Sequence, residues 1–126
     1  MPEMNRPLSP HLSVYKWQVS NSLSILHRAT GVFLSLGALV FAAWVLSAAL
    51  GAEAYATVQG LLAGPLGLLV LFGMSFSFFY HLANGVRHLV WDAGYGFDKD
   101  VARLSGWAAL IGSIVVTLGF WLGVMA

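Results

Sequence analysis

Residues 31–50 read GVFLSLGALVFAAWVLSAAL, a stretch without a single charged side chain. A helix of about 20 apolar residues, rising about 1.5 Å per residue, spans the roughly 30 Å hydrocarbon core of a bilayer. The charge-free gap around this stretch covers residues 29–52, and two further gaps cover residues 54–86 and 104–126. Each gap is long enough for one crossing and too short for two. The sequence therefore predicts an all-α integral membrane protein with three transmembrane helices.

The composition of the whole chain points to the same class. Hydrophobic residues make up 59% of the chain and charged residues 9%, against about 25% charged residues in an average soluble domain. So few charges cannot cover the surface of a soluble domain of this size. A net charge of +1 without a basic cluster gives no indication of a nucleic-acid partner. The chain has no cysteine, which excludes disulfides, cysteine-held zinc or iron–sulfur clusters and c-type haem, so any metal or haem must be held by His.

The charge pattern divides the chain into an arm and a membrane domain. We expect residues 1–20 to form a cytoplasmic N-terminal arm and residues 21–126 to form the three-helix domain. The crossings are predicted at about residues 31–50, 65–91 and 104–124.

Local signals set the expected helix ends. Residues 20–22 read Ser-Asn-Ser and offer N-cap candidates for the first helix. Pro65 suits the first turn of the second helix, and Gly94 and Gly96 are expected to terminate it. Residues 98–100, Asp-Lys-Asp, are expected to form a solvated loop before the third crossing.

The cations predict the orientation. Three precede the first crossing and three lie between the second and third: Arg6, Lys16, Arg28, Arg87, Lys99 and Arg103. The positive-inside rule assigns these segments to the cytoplasm, which places the N-terminus inside and the C-terminus outside. Neither a cleaved signal peptide nor an Arg- and Ser-rich transit peptide is expected, which favours a bacterial inner (plasma) membrane.

Polar side chains of the first two helices fall at that same end. They are Ser24, His27 and Arg28 on the first helix and His81, Arg87, His88 and Asp92 on the second. Gly31 continues the face of the first set, Gly85 lies on the stripe of the second, and Asn84 lies beside that stripe. Spacings of three or four residues put each set on one helix face, with Arg87 toward the edge of its stripe. This convergence predicts a shared site at the cytoplasmic rim.

His81 lies deepest of these, six residues or about 9 Å beyond Arg87 into the apolar slab. An ionisable group at such depth faces a bundle interior, a pathway or a cofactor. Two interpretations stay open: a neutral histidine bonded to a neighbouring helix, or an axial haem ligand. His88 cannot oppose His81 on one iron because it is displaced by about 10.5 Å along the same helix. A bis-histidine haem would need a second chain.

The cationic face of the first helix also has two interpretations. His27 and Arg28 could be an interfacial pair that reaches toward the headgroups. With the hydroxyl of Ser24, they could instead bind haem propionates or a quinone carbonyl. Asp92 lies near a helix C-terminus, where the macrodipole disfavours a carboxylate; this indicates either an ion pair with a neighbouring arginine, Arg87 or Arg28, or a proton-handling role.

Three segments carry a specific combination of motifs. Residues 6–11 read RPLSPH, residues 24–30 read SILHRAT, and residues 81–94 follow H-x-x-x-G-V-R-H-L-x-W-D-x-G. With these motifs the sequence resembles the cytochrome b556 subunits of succinate dehydrogenase, membrane anchors of complex II. The resemblance covers nearly the whole chain, without departure at the motif positions.

The resemblance implies a heterotetramer. A flavoprotein subunit oxidises succinate, an iron–sulfur subunit relays the electrons, and a second hydrophobic anchor forms a helical bundle with this chain and completes the quinone site. The cofactor is haem b, the substrate is ubiquinone, and the complex joins the tricarboxylic acid cycle to electron transport. No residue of this chain is then catalytic for succinate oxidation.

The resemblance also implies residue roles. His81 matches the axial ligand of haem b, opposed by a histidine of the other anchor. Ser24 and Arg28 match residues that line the ubiquinone site, and Asp92 is a possible proton-handling group. The expected propionate or surrounding residues are His27, Arg28, Arg87 and His88.

Three rival functions remain. The same architecture can run in reverse as a quinol:fumarate reductase, and a haem-free structural anchor would only attach the soluble subunits. A proton or solute transporter would use the buried histidine as a relay, but it would normally need ionisable groups through the full membrane depth, and the outer half has none.

Overall fold

The computed structural model describes residue 11 and residues 13–126. Within that range the chain forms four helices and no strand: α1 (Val19–Leu50), α2 (Ala52–Ala63), α3 (Pro65–Asp92) and α4 (Lys99–Met125). The helices α1, α3 and α4 are long and apolar enough to cross a membrane. This confirms the prediction of an all-α membrane protein with three crossings.

Part of the expected N-terminal arm lies outside the described residues. Arg6 and the first five residues of the RPLSPH motif belong to this part. From residue 13 the arm is an irregular segment, and the carbonyl of His11 accepts from the amides of Val14 and Tyr15 at 3.0 Å each. The cytoplasmic position of the N-terminus stays a prediction.

The N-cap expected for α1 is wrong. The N-cap residue is Gln18, which has an extended backbone and makes no capping hydrogen bond through its side chain. The predicted Ser-Asn-Ser cluster lies inside the first turn, where the hydroxyl of Ser22 donates to the Gln18 carbonyl at 3.5 Å. Ser and Asn favour an N-cap by propensity, but such a local preference does not by itself fix the residue at which a helix begins.

Residues 98–100 are exposed, as expected for a solvated segment, but the loop expected there is wrong for residues 99 and 100, which begin α4. Asp98 is the N-cap of α4, and its carboxylate accepts from the amides of Asp100 at 3.0 Å and Val101 at 3.4 Å. These amides have no partner inside the helix, so the carboxylate stabilises its first turn. The preceding turn contains two glycines with positive φ, Gly94 at 91° and Gly96 at 76°, a conformation that side chains with a Cβ adopt with strain.

Helix α2 was not anticipated from the sequence. It begins just before Glu53 and extends into the first part of the charge-free gap at residues 54–86. A hydrogen bond of 3.0 Å from Trp44 Nε1 to Gln59 Oε1 holds it against α1. The turn from α2 into α3 is tight, because a Cβ at Gly67 would lie 2.2 Å from the Leu61 carbonyl oxygen. The long gap therefore holds one short helix and one crossing.

The described residues are distributed as in a membrane protein, with large apolar side chains outside and polar or small ones within. The only large hydrophobic side chains buried among them are Leu23 and Tyr80. The buried polar residues are Thr30, Ser47, Ser77, Asn84, Arg87, Ser113 and Thr117. Several of the hydroxyls donate to carbonyls three or four residues earlier, which satisfies them where there is no water.

The beginning of α1, the end of α3 and the beginning of α4 meet at one end of the bundle. The hydroxyl of Tyr80 donates to the Leu23 carbonyl at 2.7 Å. A Cβ at Gly106 would lie 2.5 Å from Leu23 Cδ1, so α4 approaches α1 closely here. This packing brings the motif of α1 against the motif of α3.

Candidate functional site

Three imidazole rings form a column between α1 and α3. The ring of His27 lies 4.0 Å from that of His81, centroid to centroid, with 9° between their planes. The other neighbour of His27 is His88, at 5.1 Å and 17°. Residues that are distant along the chain therefore meet at one place, and His27 lies between the two histidines of α3.

The hydrogen bond of His81 fixes its tautomer. Its Nδ1 lies 3.1 Å from the backbone carbonyl oxygen of His27. Because a carbonyl can only accept, Nδ1 carries the hydrogen and Nε2 keeps its lone pair. Nε2 makes no hydrogen bond within the described part of the chain, and it is not among the buried unpartnered atoms there, so it remains accessible from outside.

Gly31 and Thr30 of α1 contact the His81 ring and fix its position. A Cβ at Gly31 would lie 3.0 Å from His81 Cε1, so only glycine lets the imidazole approach without displacement. Thr30 is 4% exposed, and its Oγ1 donates to the His27 carbonyl at 2.9 Å and lies 3.3 Å from His81 Nδ1.

These residues fit a b-type haem with one axial ligand from this chain. A histidine that binds iron through Nε2 commonly donates its Nδ1–H to a carbonyl, which is the arrangement at His81. One turn further along α3, a Cβ at Gly85 would meet no atom within 4 Å, which leaves room for a flat ring beside the helix. Within the described ranges no group of three His, Cys, Asp or Glu side chains could hold a bare metal ion.

His88 has the same tautomer as His81. Its Nδ1 lies 2.8 Å from the Asn84 carbonyl oxygen, so Nε2 again keeps its lone pair, and Trp91 packs at 61° to its ring. By contrast, Nδ1 of His27 and Nδ2 of Asn84 are buried without a partner in the described residues. The column is therefore polar, and its hydrogen bonding is incomplete among the residues that the structure describes.

Ser24 and Arg28 lie one turn apart on α1, and both are exposed. Neither makes a hydrogen bond or ion pair within the part of the chain that the structure describes. Their hydroxyl and guanidinium donors are thus available to a ligand or another subunit, beside the helix turn that carries His27.

Arg87 lies on the other side of α3, against α4. Its Nε donates to Ser105 Oγ at 2.9 Å, Nη1 to Asn84 Oδ1 at 2.9 Å and Nη2 to the Ala102 carbonyl at 2.8 Å. The guanidinium carbon also lies 4.2 Å from the centre of the Trp91 ring. These contacts join α3 to α4, and a role for Arg87 at a haem propionate stays a prediction.

Asp92 is the last residue of α3 and is exposed. It forms no ion pair with any residue in the described ranges, so neither Arg87 nor Arg28 neutralises it here. The proton-handling role expected for this carboxylate stays a prediction.

Sequence reasoning did not assign the contacts made by the residues around the column. Thr30 lies two residues after Arg28 in the SILHRAT motif, and the motif alone does not indicate that Thr30 contacts His81. Gly31 lies on the face of His27 as expected, but its close approach to the His81 ring was not predicted. Asn84 and Ser105 bind Arg87, and a buried arginine between apolar helices should have indicated such partners. The pairing of Arg87 with Ser105 could not be read from spacing, because it joins α3 to α4, whereas Asn84 lies three residues before Arg87 on the same helix.

Comparisons with known proteins agree with this architecture. Residues 2–120 match the model of a family described as the succinate dehydrogenase/fumarate reductase transmembrane subunit. A succinate dehydrogenase cytochrome b556 subunit of Rickettsia felis is 40% identical over 116 residues, which cover 92% of this chain and 90% of that protein. The Paracoccus denitrificans protein of the same name is 38% identical over 114 residues, which cover 90% of this chain and 88% of that protein.

A mitochondrial relative is also similar. The succinate dehydrogenase cytochrome b560 subunit of Sus scrofa is 38% identical over 117 residues, which cover 91% of this chain and 69% of the pig protein.

Proposed function

The chain belongs to the succinate dehydrogenase/fumarate reductase transmembrane subunit family, and from this premise we propose that it is the haem b- and quinone-binding membrane anchor of a succinate dehydrogenase. The family and its relatives indicate a cytochrome b membrane subunit of this oxidoreductase complex. The three apolar helices and the bacterial relatives support an inner-membrane location.

The geometry of His81 is the observation that carries the proposal. Its Nδ1–H is bonded to the His27 carbonyl, and its Nε2 lone pair is accessible at the surface of the chain. A bound haem b would supply a one-electron redox centre at this position. His81 would hold the iron from one side, and we propose that His27, Arg28 and His88 would contact the haem propionates.

The accessible side of this site predicts the second anchor subunit. A haem with two histidine ligands needs the opposing ligand from another chain, because His88 is displaced along the same helix as His81. We propose that a second hydrophobic subunit packs on this face and completes both the haem and the quinone sites. The iron–sulfur and flavoprotein subunits would dock at the same end, which the charge pattern assigns to the cytoplasm.

Ser24 and Arg28 are proposed to bind the quinone. Their free donors can hydrogen-bond a quinone carbonyl and stabilise negative charge that develops on the ring as electrons arrive. Quinone reduction also consumes protons, so the site must meet water at the rim of the membrane. Asp92, exposed at the end of α3, is proposed to pass protons from that water.

We propose succinate oxidation as the physiological direction. The relatives described above are named succinate dehydrogenase subunits, whereas the family description includes fumarate reductase. Assays of the purified complex with ubiquinone and with menaquinol analogues decide between the two directions.

A reduced-minus-oxidised spectrum of the purified complex tests the proposed function. We expect a b-type spectrum in the wild type and its loss in His81→Leu. The matched control is Leu82→Ala, because Leu82 is the next residue of α3 and is 54% exposed. A wild-type complex without a b-type spectrum would identify the chain as a haem-free anchor.

A further inference from the structure

Two oxygen atoms of α1 lie close to the same nitrogen of His81. The His27 carbonyl oxygen is 3.1 Å from His81 Nδ1, and Thr30 Oγ1 is 3.3 Å from it. The two oxygens are themselves joined, since Thr30 Oγ1 lies 2.9 Å from the His27 carbonyl oxygen. Thr30 is 4% exposed, so water does not compete for its hydroxyl.

The hydrogens of this triangle can be assigned from the chemistry of its members. The His27 carbonyl has no hydrogen and accepts from both neighbours, so His81 Nδ1 is protonated and the Thr30 hydroxyl points at the carbonyl. The lone pairs of Thr30 Oγ1 are then free to accept from His81 Nδ1–H. If the hydroxyl pointed at Nδ1 instead, Nδ1 would be unprotonated and two lone pairs would face each other at 3.1 Å.

We propose that Thr30 is a positioning residue for the axial ligand. Its hydroxyl oxygen shares the Nδ1–H of His81 with the His27 carbonyl, holds the ring in the tautomer that leaves Nε2 free, and increases the donor strength of Nε2. This inference rests on the proposed binding of haem through His81. It assigns to Thr30 an electronic effect on the haem, exerted through His81, in addition to any role in packing α1 against α3.

The direction of the effect follows from charge. A stronger Nδ1–H hydrogen bond makes imidazole a better electron donor, which favours the oxidised, more positive iron. Loss of the Thr30 oxygen weakens this donation while the His27 carbonyl still holds the tautomer. The midpoint potential of the haem should therefore become more positive.

Potentiometric titration of the haem in the purified complex is the test. Thr30→Val keeps the branched shape of the side chain, and we expect it to make the midpoint potential more positive. At a fixed potential, the ratio of reduced to oxidised haem should rise about twofold to fivefold, since the free energy involved is only part of that of a typical net hydrogen bond. Thr30→Ser keeps the hydroxyl and should retain the wild-type potential. Thr30→Cys has a weaker acceptor and should fall between the two.

The outcomes separate this inference from the proposed function. A wild-type complex without haem refutes the proposed function itself. Haem present with the same potential in wild type and Thr30→Val overturns the role of Thr30, and so does a shift in Thr30→Ser equal to that in Thr30→Val, which would indicate packing alone. If Thr30→Val does not assemble, the difference between Thr30→Cys and Thr30→Ser decides.

Discussion

The imidazole of His81 on α3 stacks on the imidazole of His27 on α1, with 4.0 Å between ring centroids and 9° between planes. The same His27 contributes its backbone carbonyl to the Nδ1–H of His81. One residue of α1 thus covers the face of the proposed iron ligand and also fixes its tautomer. The packing of α1 on α3 and the construction of the haem site therefore depend on the same contacts.

Gly31→Ala should weaken haem binding. The added Cβ would lie 3.0 Å from His81 Cε1, so the ring must move away from α1. Such overpacking costs about 1–3 kcal/mol, which corresponds to a loss of haem affinity of about fivefold to one hundredfold. The ratio of haem to protein in the purified complex measures it. Gly112→Ala is the control, because a Cβ there meets no atom within 4 Å; equal haem content in both variants would contradict the prediction.

Arg87→Leu should destabilise the membrane domain. The change removes three hydrogen bonds and leaves the buried Asn84 Oδ1 without its donor, at a cost of about 1–3 kcal/mol for a buried unsatisfied group. Ser105 Oγ keeps its hydrogen bond to the Ala102 carbonyl. We expect the thermal denaturation midpoint of the complex to fall by several degrees. Arg103→Leu, at an exposed position of α4, should leave it unchanged. Unaltered stability together with a changed haem spectrum would instead support the expected propionate role of Arg87.

Ser24→Ala and Arg28→Leu should impair quinone reduction selectively. A hydrogen bond to a charged group contributes about 1.5–3 kcal/mol, so Arg28→Leu should lower kcat/KM for ubiquinone by about tenfold to one hundredfold. Ser24→Ala should have a smaller effect of the same kind. Succinate oxidation measured with an artificial dye should stay at the wild-type rate. Ser22→Ala, exposed on the same helix, is the control, and a parallel fall of both activities would mean that these residues serve assembly.

Single cysteines can test the orientation, because the natural chain has none. We expect Ala52→Cys, at the exposed start of α2, to react with an impermeant maleimide in intact spheroplasts. Tyr95→Cys, in the turn between α3 and α4, should react only after the membrane is disrupted. The positive-inside rule gives this expectation. Labelling in the opposite order would place the site at the outer face and would remove its access to cytoplasmic electron donors.

The unanticipated helix α2 shows where sequence reasoning stops. Residues 54–86 lack charge, and a crossing needs about 20 of them. Hydropathy alone cannot say that the excess residues form a second helix bound to α1 through Trp44 and Gln59. The residues around His81 show the same limit, because Thr30, Gly31 and Asn84 carry no charge and gain their roles only from what they contact.

The sequence by itself determined the membrane class, the number of crossings and the meeting of the polar motifs of α1 and α3 at one end. These properties can be read from one segment at a time, because the length of an uncharged segment and the spacing of residues along a helix do not depend on how a neighbouring helix packs. Only the tertiary structure decided that His27 lies between His81 and His88, that Thr30 shares the Nδ1–H of His81, and that Arg87 faces α4. Those relationships depend on the rotation and register of one helix against another, which close packing of small residues sets over a few ångströms.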